Sequence, residues 1–282
     1  MKMKTKRILT AAAVVGALLS APVMAGSVDP AADLKAVHDY FAKKFPETPF
    51  NDFINGVYSI DPTSRAQWEA IEEFPPYEPN IDKGNELFHK AFANGKSMAD
   101  CFPGYADGIR QNYPHFDAAT KQVVTLELAI NQCLEANGEK PLAYKKGPIA
   151  DVSAYLAFQS RGKVFDVKVE GADALAWYKR GRDHFLSKRG QLNLACADCH
   201  IYSSGTYVRA DLLSPAMGHV THFPVYRSSW GELGTLHRRY GGCNEQVRAK
   251  SFKAQSEEYR ALEFFHTYLS NGLEVNGPGS RK

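Results

Sequence analysis

Beyond its first 25 residues the sequence has no apolar run that could cross a bilayer, which takes roughly 20 consecutive apolar residues. It also lacks an excess of charge of one sign. Lys and Arg number 34 and Asp and Glu 31, and four of the basic residues lie in the first seven, at Lys2, Lys4, Lys6 and Arg7. Without that segment the formal charge of +3 becomes −1, which removes the main support for a nucleic-acid partner. Runs of alternating strand type are scarce, and Lys163 to Val169 is the one short candidate. Cysteine is sparse as well, with five residues at Cys101, Cys133, Cys196, Cys199 and Cys243, an odd number that leaves at least one outside any disulfide.

The basic start, the apolar stretch Ile8 to Leu19 and the small-x-small triplet Val23-Met24-Ala25 have the form of a cleaved export signal. A signal over residues 1–25 predicts a periplasmic protein without a membrane anchor, about 257 residues long and beginning at Gly26. In an oxidising compartment thiols tend to be paired or occupied, so each of the five cysteines needs a role.

Apolar residues recur at three- and four-residue spacing over Pro30 to Phe45, Asp82 to Ala93, Val123 to Asn137, Val152 to Arg161, Ala172 to Lys188, Trp230 to Tyr240 and Glu257 to Ser270. This predicts a mainly α protein. An internal repeat sharpens the expectation. Lys83-Gly84-x-x-Leu87-Phe88 leading to Met98-Ala99-Asp100-Cys101-Phe102 parallels Arg180-Gly181-x-x-His184-Phe185 leading to Cys196-Ala197-Asp198-Cys199-His200. Further on, Thr125 precedes Cys133 by eight residues, and Thr235 precedes Cys243 by eight. Two tandem cytochrome c-like domains are expected, over 26–165 and 166–282, with the joint near 162–171.

Cys196-Ala197-Asp198-Cys199-His200 is a Cys-x-x-Cys-His motif. Its two thiols can add to the vinyl groups of haem while the adjacent imidazole reaches the iron from the same turn. A thioredoxin-like Cys-x-x-Cys fits poorly, because that site opens a helix after a strand and the context here is helical. One covalently attached haem c is expected, with His200 as an axial ligand. The first repeat has Met98 and Phe102 in place of the first thiol and the imidazole, so it cannot hold haem this way. Cys101 then has Cys133 as the other cysteine of its half, and a Cys101–Cys133 disulfide follows as a prediction. In the chain-entropy model a loop of about 30 residues closed this way stabilises by roughly 3–4 kcal/mol.

Cys243 is left alone. Gly241 and Gly242 beside it leave space for a visiting chain, and Arg238, Arg239 and Arg248 nearby favour a thiolate and attract anions. A thiolate can also bind haem iron. The other readings of Cys243 are a buried inert thiol or an intermolecular disulfide, and Met217, His219 and His222 are competing candidates for the distal iron position. Residues alone leave this choice open.

Taken together, the exported chain, the two cytochrome-like repeats, the Cys196 to His200 motif and Cys243-Asn244-Glu245-Gln246-Val247-Arg248-Ala249 resemble the SoxA family. SoxA is the haem-bearing subunit of the SoxAX cytochrome complex of bacterial sulfur oxidation, also called L-cysteine S-thiosulfotransferase. The departure at Met98 and Phe102 resembles the single-haem branch, in which a disulfide occupies the lost site. The resemblance implies Cys243 as distal ligand and as catalytic sulfur in persulfide form, and Arg239 as the substrate-binding arginine. It implies thiosulfate as substrate, a SoxYZ-like carrier protein as acceptor and a SoxX-like cytochrome c subunit as heterodimer partner. Two other functions stay in play, a plain electron carrier with His200 and Met217 ligation and a two-domain peroxidase. The peroxidase would need a second haem or an open iron site, and the first half cannot supply that haem.

Overall fold

The computed structural model describes residues 28–281, so the expected export signal lies outside the described residues. Asp29 opens the first helix, α1 (Pro30–Lys44), by accepting from the backbone of Ala31 and Ala32, with Pro30 at the first helical position. Its buried face, Val37 and Phe41, lies outside the main core of the half that follows it. Together with Phe53 it joins the core formed by Tyr178, Phe185, Ile201, Tyr259 and Phe265 of the second half. The amphipathic pattern says which face is buried, and the tertiary structure decides against what.

A kinked 3-10 segment over Phe50–Ser59 leads to α2 (Pro62–Glu72), capped by Asp61 and not anticipated from the sequence. Then come α3 (Glu78–His89), a short turn Met98–Cys101, a hairpin of β1 (His115–Asp117) and β2 (Gln122–Val124), α4 (Leu126–Ala136) and α5 (Pro148–Gln159). The second half begins with α6 (Gly171–Leu186), a wide turn Asp198–Tyr202 and a small hairpin of β3 (Tyr207–Val208) and β4 (Asp211–Leu212). It continues with β5 (Val225–Arg227), β6 (Glu232–Gly234), α7 (Leu236–Gln246) and α8 (Glu257–Tyr268). The last strand, β7 (Gly279–Arg281), pairs parallel to β5 and completes a three-stranded sheet in the order β6-β5-β7.

Two expected helices start later than their periodicity suggests. Val123 and Trp230 lie in hairpins, at or beside the strand that precedes each helix, and the helices begin after Thr125 and Thr235, which hold extended backbone angles. Thr125 accepts from Leu128 N through its hydroxyl, whereas Thr235 donates its hydroxyl to the Tyr144 carbonyl. The stretch Lys163 to Val169 is extended and exchanges backbone hydrogen bonds with Gly272, Leu273 and Val275, but it forms an isolated bridge rather than a named strand.

The parallel between the halves extends to their helix crossings. A Cβ added at Gly84 on α3 would lie 2.0 Å from the Asp151 carbonyl on α5 and 3.0 Å from the Tyr155 Cβ. One added at Gly181 on α6 would lie 2.0 Å from the Ala261 carbonyl on α8 and 2.7 Å from the Phe265 Cβ. Each glycine is required by a close backbone approach. The hairpins β1–β2 and β5–β6 follow with the same register, each residue offset by 110.

Candidate functional site

Cys196, Cys199 and His200 sit in the turn after α6, where the Asp198 carboxylate accepts from Ala195 N at 2.7 Å and caps the turn. The end of α1 holds this turn from outside. Tyr40 Oη and Lys44 Nζ both donate to the Ile201 carbonyl, each at 3.2 Å. His200 Nδ1–H donates to the Ser214 carbonyl at 2.9 Å, which assigns the proton to Nδ1 and leaves Nε2 as a free ligand atom.

The opposite wall is α7. This helix runs unbroken through Gly241 and Gly242, past the expected end at Tyr240. Glycine in a helix interior costs about 1 kcal/mol relative to alanine, and the buried face of α7 with Leu236, His237, Tyr240 and Asn244 offsets that cost. Tyr240 Oη meets His266 Nδ1 at 3.2 Å and Asn244 Nδ2 donates to Tyr259 Oη at 2.6 Å, tying α7 to α8. With the helix continuous, Arg239 and Cys243 stand four residues apart on one face. No heavy atom outside α7's own backbone lies within 4 Å of the place where a Cβ of Gly242 would be, so the helix surface next to Cys243 is open there.

Between the two walls is a mostly apolar cavity of about 730 Å³, its open mouth included. Cys196, Cys199, His200, Arg239 and Cys243 all line it, with Phe185, Leu213 and Leu262 among the apolar side chains. The Cys243 sulfur lies within hydrogen-bonding reach of the His200 ring. Burial alone would push the Cys243 thiol up, but the Arg239 guanidinium, His200 and Arg227 together pull it down to about 7. Arg239 itself has no carboxylate partner among the described residues.

These residues fit a covalently held haem. Two thiols three residues apart flank an apolar cavity, the adjacent imidazole has its outer nitrogen pinned, and a polarised sulfur stands across from it. The other distal candidates are placed elsewhere. Met217 is buried in the core and does not line the cavity. His219 lines it, but its ring is 4.7 Å from that of His200 and its Nδ1 is 3.0 Å from the Ser214 hydroxyl, so it stands beside His200. His222 faces a different cavity.

Arg238 stacks on Trp230 at 4.2 Å and pairs with Glu232 at 3.1 Å, a structural role, and Arg248 is exposed. Two contributors escaped the sequence reading. One is Ser214, whose carbonyl orients His200. The other is Arg227 on β5, pushed down to about 10 by burial and then by Arg239, and lowering Cys243 in turn. Its signal was present in the repeat, because Arg227 occupies the hairpin position that Asp117 holds in the first half.

Residues 83–165 match the family model described as SoxA/TsdA, cytochrome c domain. The L-cysteine S-thiosulfotransferase subunit SoxA of Chlorobaculum tepidum is 56% identical over 251 residues, 89% of this chain and 87% of that protein. The SoxA subunit of Allochromatium vinosum is 54% identical over 278 residues, covering 95% of this chain and 99% of the relative. The chain belongs to the SoxA family. A solved structure of SoxXA from Paracoccus pantotrophus superposes with a TM-score of 0.71 at 30% identity, covering 77% of this chain and 84% of that one. The segment matched by the cytochrome c model is the half without the Cys-x-x-Cys-His motif. A cytochrome c domain implies covalently bound haem c. No helix among the described residues is long and apolar enough to cross a membrane.

Proposed function

We propose that this chain is the catalytic subunit of an L-cysteine S-thiosulfotransferase, with Cys243 as the reacting sulfur and Arg239 as the thiosulfate-binding residue. The observation that carries this reading is the Cys243 sulfur, drawn down to about 7 and sharing a helix face with a guanidinium that has no carboxylate partner. The names of the SoxA relatives support it. Thiosulfate is a small dianion, and a guanidinium offers it both charge and paired donors.

In the reaction, the Cys243 thiolate or persulfide forms an S–S bond to the outer sulfur of thiosulfate as two electrons pass, one at a time, to c-type cytochrome as the oxidant. The thiolate of a SoxYZ-like carrier then attacks the sulfane sulfur, releasing Cys243 and leaving the carrier as an S-sulfo-persulfide. No bond within thiosulfate breaks, and the carrier's thiol proton is released. Haem would be held by Cys196, Cys199 and His200, with Cys243 within reach, and would supply one-electron redox chemistry beside the sulfur. Ser214 keeps the His200 proton on Nδ1, and Arg227 and Arg239 hold the anion.

We further read the chain as two tandem cytochrome c-like domains, 26–165 and 166–282, carrying a single haem. The 110-residue offset and the match of the first half to a cytochrome c domain support this, although residues 30–53 pack with the second core. A SoxX-like subunit as heterodimer partner agrees with the SoxXA likeness, and a periplasmic location with the expected leader. The test is Cys243→Ser in the complex with its cytochrome partner. Carrier-dependent thiosulfate consumption is expected to fall at least 10³-fold, with haem still attached. A plain electron carrier with His200 and Met217 ligation would lose nothing, and the burial of Met217 away from the cavity disfavours it.

A further inference from the structure

A second cavity, about 740 Å³ on the same measure, opens between the kink at Gly56, the end of α2 and β7. Trp68, Glu72, Tyr77, Arg161, His222 and Arg281 are among its walls. Its polar groups are unevenly matched. Arg281 is 9% exposed, yet its guanidinium donates to neutral backbone, Ser280 O at 2.8 Å and Asn55 O at 3.3 Å, above the Tyr58 ring at 4.7 Å. Arg161 donates to Gly277 O at 3.1 Å, Pro278 O at 2.7 Å and Tyr77 Oη at 2.9 Å. Neither has a carboxylate at ion-pair distance among the described residues.

The carboxylate between them is already engaged. Glu72 accepts from Trp68 Nε1, from Tyr77 Oη and from both the backbone and hydroxyl of Ser280, all neutral donors. Glu274 stands in the wall as well, half-buried at the bridge to Val164. A guanidinium has five N–H donors, so both arginines retain donors that no protein acceptor uses. His222 is kept neutral by burial and then by the Arg281 charge. Glu72 acts on Arg281 through its charge but forms no ion pair with it, so a ligand with negative charge and several oxygens would engage the guanidinium donors left over and offset the cost of burying Arg281.

We propose that this cleft is a second anion site, distinct from Cys243, which takes a small tetrahedral dianion of the sulfate class between Arg161 and Arg281. It is not isolated from the first site. Arg281 is the register partner of Arg227 on the parallel pair β5–β7, and Arg227 is the residue whose charge reaches Cys243. Its existence does not depend on the transferase reading.

The test uses haem-loaded protein. Crystals soaked in selenate, a tetrahedral dianion with an anomalous scatterer, are expected to show a selenium peak between Arg161 and Arg281. In thermal unfolding at matched ionic strength, sulfate at about ten times its Kd should raise Tm by about 4 °C over chloride. The shift should persist in Arg239→Ala and fall below about 1 °C in Arg281→Gln and in Arg161→Gln. Arg161 is exposed, so its variant keeps the test open if Arg281→Gln fails to fold. A shift that vanishes in Arg239→Ala would place the ion at Cys243 and overturn the proposal. So would the absence of both peak and shift in the wild type, or their survival in Arg161→Gln.

Discussion

The two halves use one framework for different ends, and the difference lies in a few substituted positions. Both carry a glycine-mediated helix crossing, a cysteine turn, a hairpin and a cysteine eight residues after a threonine. In the first half Cys101 and Cys133 are joined, with Cα atoms 6.0 Å apart, and Met98, Phe102, Phe88 and Ile130 fill the interior around them. In the second the same helix positions separate into two walls lined by Cys199 and Cys243. Where α4 has Leu128, Ala129 and Ile130, α7 has Arg238, Arg239 and Tyr240. A disulfide with aromatic and aliphatic side chains closes one cavity, and polar residues keep the other available to chemistry.

The comparison is broken most severely at the paired glycines. Alanine at Gly181 or Gly84 places a methyl 2.0 Å from a backbone oxygen that cannot step aside, and each should cost about 4 kcal/mol by denaturant unfolding. Haem content separates the two variants. Gly181→Ala spreads α6 from α8, which both contribute side chains to the cavity, and should lose most of its haem, whereas Gly84→Ala should keep the haem it can fold around. Equal haem loss in both would show that the halves do not behave as separate units.

The grouping of Cys196, Cys199 and His200 at one cavity was legible because the three are nearly contiguous, and the Cys101–Cys133 disulfide because the repeat aligned Cys133 with Cys243. The start of α7 was not, since Trp230 and Leu233 read as a helical stripe while they sit in or beside the hairpin β5–β6. The expected end at Tyr240 falls short because Gly241 and Gly242 carry no apolar side chain to continue the stripe, yet the helix runs on through them to Gln246. Arg227 is far from Cys243 in sequence, and only alignment with Asp117 marks it. The docking of α1 on the second half depends on shape complementarity that periodicity does not encode.

Opening the first half alone is the next test. Cys101→Ser with Cys133→Ser releases a cross-link between residues 32 apart and should cost roughly 3–4 kcal/mol. Intact mass should still show one haem, because no thiol of the second half is touched. A second haem, or none, would break the division of labour between the halves. A smaller change sharpens the same contrast from the other side. Arg239→Lys keeps the charge that Ala129 lacks but removes the paired donors, and should lower thiosulfate kcat/KM about 30-fold, near 2 kcal/mol, with the haem spectrum retained.

The smallest expected effect concerns acid. His184 on α6 stands where the first half has Leu87, and it is buried against Arg189, whose Nη1 meets its Nε2 at 2.5 Å. Burial, and then the Arg189 charge, holds the imidazole down at about 3. A histidine whose folded value lies below its unfolded value of about 6.5 binds a proton more readily in the unfolded chain. Its neutral burial therefore weighs against folding as pH drops below 6.5, at up to about 1.4 kcal/mol per pH unit until pH falls to about 3. Between pH 7 and pH 5 the wild type should lose about 2 kcal/mol more stability than His184→Gln, measured by denaturant unfolding of haem-loaded protein. If the two proteins lose stability in parallel, His184 is not the titrating group, and the acid sensitivity of the second half has to come from elsewhere in its polar wall.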